Sequence, residues 1–238
     1  ANNSYIMGYS LTYYGSDLED TIVGQAITTT IYGQGGNDNI TQGGASVSVY
    51  GGDGDDTIRM NNTGAAYGNA GNDTITLNTT LTTQIVNGGI GNDTYNLLEG
   101  SSVKNLNDDG GDNIYNISTS NSTINGSTGN DTFYINGNNN IVLGGGGNDY
   151  FIVNGEGNTI DGGTDDNNYV NNGTGTDISN STIDPNSGAI TFSILNERRT
   201  IELNGKVSSL LELGTAFNSE LTGYENIYQH GQVMGLTN

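Results

Sequence analysis

The chain has no cysteine, no tryptophan, one proline (Pro185) and one histidine (His230) in 238 residues. Without cysteine there is neither a disulfide framework nor thiolate chemistry. Basic residues are nearly as scarce. Arg59, Lys104, Arg198, Arg199 and Lys206 stand against 26 acidic residues, and the net charge is −21. Nucleic-acid binding needs a basic surface to neutralise phosphates, so this composition argues against such a partner. No run of about 20 apolar residues is present, so no membrane span is expected. The N-terminal residues carry no basic start followed by an apolar stretch, which gives the expectation of export without an N-terminal signal peptide. Hydrophobic residues make up only 32% of the chain. So little apolar content under so much charge ordinarily means disorder.

What is present is glycine and a period. The 39 glycines gather in turns that recur about every 18 residues, each followed by a short apolar segment. The copies read GSDLEDTI (15–22), GQGGNDNI (33–40), GGDGDDTI (51–58), GNAGNDTI (68–75), GGIGNDTY (88–95), DDGGDNIY (108–115), GSTGNDTF (126–133), GGGGNDYF (144–151) and GGTDDNNY (162–169). The Asp that ends each turn is read as Asp20, Asp38, Asp56, Asp73, Asp93, Asp112, Asp131 and Asp149, with Asn167 in the last copy. The turns at 15–22, where Leu18 replaces a glycine, and at 108–115, which reads one residue short, are the weakest. A fixed period implies stacked copies, and stacking sets these carboxylates in one column.

After each Asp the sequence alternates. Ile58 and Met60, Ile75 and Leu77, Tyr95 and Leu97, Phe133 and Ile135, and Phe151 and Val153 each share one face of a strand. A second short strand leads into the next turn, with Ile31, Val49, Ala66, Val86, Leu106, Ile124, Val142 and Ile160 pointing inward. Two strands and two turns make one flattened coil. The fold class expected is all-β: a right-handed parallel β-roll or β-solenoid of about nine coils of ~18 residues, with a small C-terminal cap. The domains expected are an N-terminal lead-in (1–14), the repeat region (15–177) and a C-terminal capping, secretion or assembly region (178–238).

The repeats resemble the calcium-binding RTX nonapeptide G-G-x-G-x-D-x-U-x, where U is a large apolar residue. GGDGDDTIR (51–59) matches every defined position, and the others match in part. The resemblance covers about two-thirds of the chain. It differs from the family's common form in placing the motif on one edge of the coil only. What the resemblance implies is Ca²⁺ held between turns one coil apart, by the Asp carboxylates and by the main-chain carbonyls of Gly33, Gly51, Gly52, Gly54, Gly68, Gly71, Gly88, Gly89, Gly91, Gly126, Gly129, Gly144, Gly145, Gly147 and Gly162. Ca²⁺ takes six to eight hard oxygens, more than one turn supplies. Pairing neighbouring Asp residues from Asp20 to Asp149 gives about seven ions, and an eighth would need the neutral Asn167, or Asp165 or Asp166 in its place. A metal-free stack of Asn, Asp and Gly turns is the plainer alternative.

Other stripes run along the coils. Thr21, Thr57, Thr74, Thr94 and Thr132 read as a solvated ladder, and Tyr32, Tyr50 and Tyr67 as an outward aromatic stack that either braces the strands or binds a glycan. Tyr115, Tyr134, Ile152 and Val170 are assigned to one outward apolar stripe, covered by the C-terminal region or serving self-assembly or another surface protein. In that region, 188–195 and 200–203 read as a hairpin and 207–221 as a short amphipathic helix. Gly223 to Ile227 resembles a segment flanking repeats in secreted RTX proteins, which are exported by type I secretion. No catalytic constellation is found: His230 stands alone, and the repeats carry only Arg59 and Lys104 as cations. The expectation is therefore a non-enzymatic, extracellular or cell-surface calcium-binding module in a surface layer, fibre or adhesin. The alternatives are an accessory module of a secreted enzyme such as a protease or epimerase, or a glycan-binding module.

Overall fold

In the computed structural model the chain divides into two compact units, 1–199 and 200–238. The structure describes residues 3–6, 12–24, 30–78, 82–165, 167–179 and 192–194. The second unit, the helix expected at 207–221, the partner strand at 200–203, the segment from Gly223 and His230 lie outside the described residues.

The first unit is a parallel β-solenoid with no helix among the described residues. Its coils build two sheets, one of 11 strands and one of 10. The larger holds the strands that follow the glycine turns: Asn3–Ile6, Asp20–Val23, Asn39–Gln42, Thr57–Met60, Thr74–Leu77, Thr94–Leu97, Ile114–Ile117, Thr132–Ile135, Tyr150–Val153, Asn168–Asn171 and Phe192–Ile194. The smaller holds the strands that lead into them: Thr12–Tyr14, Thr30–Gly35, Val47–Asp53, Gly64–Ala70, Thr82–Ile90, Ser102–Asn107, Thr123–Asn125, Ile141–Leu143, Thr159–Asp161 and Asp177–Ser179. Both sheets begin inside the first 14 residues, where Asn3 pairs with Asp20 and Tyr14 with Tyr32. So the stretch before the first glycine turn is itself coil.

The register keeps each motif position in line. Ile22, Ile40, Ile58 and Ile75 stack in one core column, which then turns aromatic with Tyr95, Tyr115, Phe133, Phe151 and Tyr169. The aromatic rings lie face to face with centroids 4.5 to 4.9 Å apart. Facing them are Ile31, Val49, Ala66, Val86, Leu106, Ile124, Val142 and Ile160, all fully buried. This is a core one side chain deep per sheet, and no coil could bury it alone. Tyr115 thus belongs to the core and not to the outward stripe. The alternation fixes this, since Ile117 on the same strand is also buried and the outward place between them is Asn116.

Candidate metal edge

The glycine turns form one edge of the solenoid, and three kinds of position make them. The fourth residue of the turn takes a left-handed conformation in most copies: Gly36, Gly54, Gly71, Gly91, Gly111, Gly129 and Gly147 all have φ between 91° and 141°. Glycine adopts this at no steric cost. The first residue is glycine for a different reason. A Cβ on Gly33, Gly51, Gly68 or Gly144 would collide with the carboxylate of the Asp five residues on. The sixth residue is that Asp, and it points inward.

The inward side chains form a ladder. The N–H of Asp20 donates to Asp38 Oδ1, and the pattern repeats from Asp38 to Asp56, Asp56 to Asp73, Asp73 to Asp93, Asp93 to Asn113, Asn113 to Asp131, Asp131 to Asp149 and Asp149 to Asn167, at 2.6 to 2.9 Å. A second ladder runs along the outside of the same turns in the opposite sense. Asn37, Asp55, Asn72, Asn92, Asp112 and Asn130 each accept from the N–H of the next coil, at 2.7 to 3.0 Å. The Asn-Asp pair in most motifs is therefore one outer and one inner rung.

This geometry corrects one residue of the column. In the turn at 108–115 the inner rung is Asn113, and Asp112 is an exposed outer rung. The two types have changed places in the sequence, and the turn has its full length, with Gly111 in the left-handed position. The signal was the parity of the strand. Every inner rung stands two residues before the buried core residue, so Tyr115 points to position 113. The turn at 15–22 also departs from the rest. There the Ser16 N–H and hydroxyl donate to Asp20 Oδ2 at 2.7 and 3.0 Å, and it is Oδ1 that lacks a partner.

In the remaining column residues, Asp38, Asp56, Asp73, Asp93, Asp131 and Asp149, Oδ2 is buried and has no hydrogen-bond partner. The two Asn rungs show what surrounds that atom. Asn167 Nδ2 donates to the carbonyls of Gly162 (3.0 Å) and Thr164 (3.2 Å), and Asn113 Nδ2 to that of Gly111 (3.0 Å). In the Asp turns a carboxylate oxygen stands where those Asn carry an amide nitrogen, and a Cβ on Gly33, Gly51, Gly68 or Gly144 would meet both that oxygen and a main-chain carbonyl of the next coil. An acceptor among acceptors is satisfied only by a cation or a proton. Burial, as the largest cause, pushes these carboxyls up, Asp38, Asp93 and Asp149 to about 6, Asp56 and Asp73 to about 7, and Asp131 to about 8. Neighbouring carboxylates of the column add to the rise at Asp38, Asp56, Asp73 and Asp131.

The opposite edge does the same job with amides. The N–H of Ser122 donates to Asn140 Oδ1 and that of Asn140 to Asn158 Oδ1, at 2.9 and 2.8 Å. Their amide nitrogens donate to the carbonyls of Thr119 and Gly137, at 2.9 and 3.0 Å. Gln42 closes another turn there, accepting from the N–H groups of Asn61 and Asn62 and donating to Thr63 and Gly44. None of these amide oxygens is orphaned. Only one edge of the solenoid carries a column of unpaired carboxylate oxygens among the described residues.

Among the described residues, no three carboxylate or imidazole side chains converge as a metal cluster. A cation at the Asp edge would therefore rest on main-chain carbonyls for most of its oxygens, as a hard ion with six to eight ligands allows. On the outer faces, Tyr14, Tyr32, Tyr50 and Tyr67 stack with centroids 4.7 to 5.0 Å apart. Tyr134, Ile152 and Val170 do align on the other sheet, with Tyr134 40% exposed.

No protein-family model and no solved structure matches the chain. A segment of 49 residues is 43% identical to part of the O-antigen export system ATP-binding protein RfbB of Klebsiella pneumoniae, covering 21% of this chain and 20% of that protein. The chain thus spans about a fifth of the length of that relative. The Gly-Lys pair of this chain, Gly205-Lys206, is followed by Val207 rather than by the Ser or Thr of a phosphate-binding loop. No helix of the described residues is long and apolar enough to cross a membrane.

Proposed function

We propose that this chain is an RTX-type calcium-dependent structural module whose coils close on Ca²⁺ along the Asp edge. The observation that carries the reading is the internal comparison of Asp and Asn rungs. Where the rung is Asn, its amide hydrogens fill the carbonyl-lined turn, and where it is Asp, an unpaired oxygen takes their place. Ca²⁺ fits that donor set better than Mg²⁺, which keeps its water and demands a strict octahedron. Six such oxygens, on Asp38, Asp56, Asp73, Asp93, Asp131 and Asp149, suggest six ions rather than seven or eight. Six divalent ions carry twelve positive charges and take the net charge from −21 to −9.

A fold held by calcium suits a place where calcium is plentiful, so the module is assigned to the outside of the cell, in a surface layer, fibre or adhesin. The Tyr ladder supports a bracing role over glycan binding. Its rings cover one another's faces, so the ladder offers edges and hydroxyls, whereas sugars stack on open ring faces. A crystal soaked in Ca²⁺ or a lanthanide tests the reading through anomalous scattering. Peaks beside Oδ2 of the six Asp residues are the expected result, and a column without peaks would contradict it.

A further inference from the structure

The turn at 108–115 carries an exchange that the others lack. Its inner rung is the neutral Asn113, but its first residue, glycine in every other copy, is Asp108. The carboxylate missing from the rung has been replaced by one entering the edge from the opposite side of the turn. Asp108 is only 4% exposed, and its Oδ1 accepts from the N–H of Gly89 in the preceding coil (3.2 Å) and from that of Asp109 (2.8 Å). Its Oδ2 has no hydrogen-bond partner.

The nearest rung in the preceding coil is Asp93, 1% exposed, and its Oδ2 is likewise unpartnered. Asp93 Oδ2 and the Tyr95 hydroxyl share one small space, where a Cβ on Gly88 would collide with both. The hydroxyl accepts from the Gly88 N–H at 2.7 Å, turns its own hydrogen toward the Asp108 carboxylate and stands beside Asp93. Asp108 is pushed up to about 7, by burial first and then by the charge of Asp93. Asp108 is held at Gly89, and Asp93 and the Tyr95 hydroxyl meet at Gly88, so two buried carboxylates and a phenol oxygen gather at neighbouring residues of one turn.

We infer that Asp93 and Asp108 form a two-carboxylate cation site with the Tyr95 hydroxyl, and that it is the tightest cation site of the edge and the first to fill. The inference rests on the calcium reading above and adds a rank order to it. The other rungs offer an ion one carboxylate from their own turn, whereas this site offers two. The affinity of an oxygen-ligand site for Ca²⁺ rises with the number of charged ligands and with their rigidity. Both carboxylates here are held, Asp108 by the N–H of Gly89 and Asp93 by that of Asp73.

The test is calorimetric titration of the full chain with Ca²⁺, with Tb³⁺ emission sensitised by tyrosine as a second readout. The wild-type chain is expected to show one ion bound at least about tenfold more tightly than the others. Asp108→Asn keeps the acceptor for Gly89, so the ion count should hold while the tight class merges with the rest. The double change Asp108→Gly with Asn113→Asp restores the ordinary motif, and should lose the tight class but gain one ion. Asp56→Asn should lose one ordinary ion and keep the tight class. A single affinity class in wild type would overturn the inference, as would a tight class that survives in Asp108→Asn or in the double variant. In those cases calcium binding itself would stand. No calcium bound by the wild-type chain would instead remove the reading on which the inference depends.

Discussion

At the scale of the residue, the edge turns on one atom. Aspartate and asparagine have the same shape, and both supply the Oδ1 that accepts from the neighbouring coil. They differ at the second atom, which must sit among carbonyl oxygens. Asp73→Asn therefore replaces an unpaired oxygen with an amide donor in the same place. The expected outcome is a calcium-free chain more stable by about 1–3 kcal/mol, together with the loss of one bound ion, measured by thermal unfolding with and without calcium. Asn158→Asp on the opposite edge is the converse. It removes the donor to the Gly137 carbonyl and should cost about 1–3 kcal/mol, part of it recovered when calcium is added. Equal unfolding midpoints for Asn158→Asp and wild type would contradict this account of the two edges.

At the scale of the element, the strands were legible because their alternation has a period of two and their turns a fixed chemistry. Ile58 with Met60 and Phe133 with Ile135 declare one face each, and both pairs are buried. The same rule, applied to Tyr115 and Ile117, would have placed Tyr115 inside and Asn113 on the column. The identity of the residue points the other way, to Asp112, and Asp112 and Asn113 differ too little in turn propensity for composition to choose between them. The double ladder was not legible. It depends on hydrogen bonds between coils, in opposite directions on the two sides of a turn, and a single repeat contains neither partner. Nor was the role of Asp108, since a turn that reads one residue short gives it no defined place until register sets it beside Gly88. The amide edge was legible only in its later coils, where Ser122, Asn140 and Asn158 recur every 18 residues, since Gln42 stands in a turn that does not repeat that pattern.

At the scale of the whole molecule, the stack is an acidic column with a thin core, and its stability should follow the protonation of that column when no ion is present. The buried carboxyls sit at about 6 to 8 in the fold, against an ordinary value of 3.8. A raised value means that the folded chain holds these protons more tightly than the unfolded one. Protonation then stabilises the fold, fully below about pH 4 and progressively less as pH rises through 6 to 8. In calcium-free buffer the unfolding midpoint should accordingly be higher at pH 5 than at pH 8, and the reverse order would contradict the unpaired-oxygen account. In calcium the ions take the place of the protons, and the dependence near neutral pH should flatten.

The central claim is that cations, rather than turn propensity alone, close the Asp edge. Far-UV circular dichroism at pH 7.5, with calcium and with EGTA, tests it most directly when two chains are compared. One is the wild type, and the other carries Asn at positions 38, 56, 73, 93, 108, 131 and 149. The account predicts that the wild type loses its strand signal in EGTA and regains it with calcium, while the all-Asn column keeps its strands in both. A wild-type spectrum that is the same in EGTA and in calcium would contradict it.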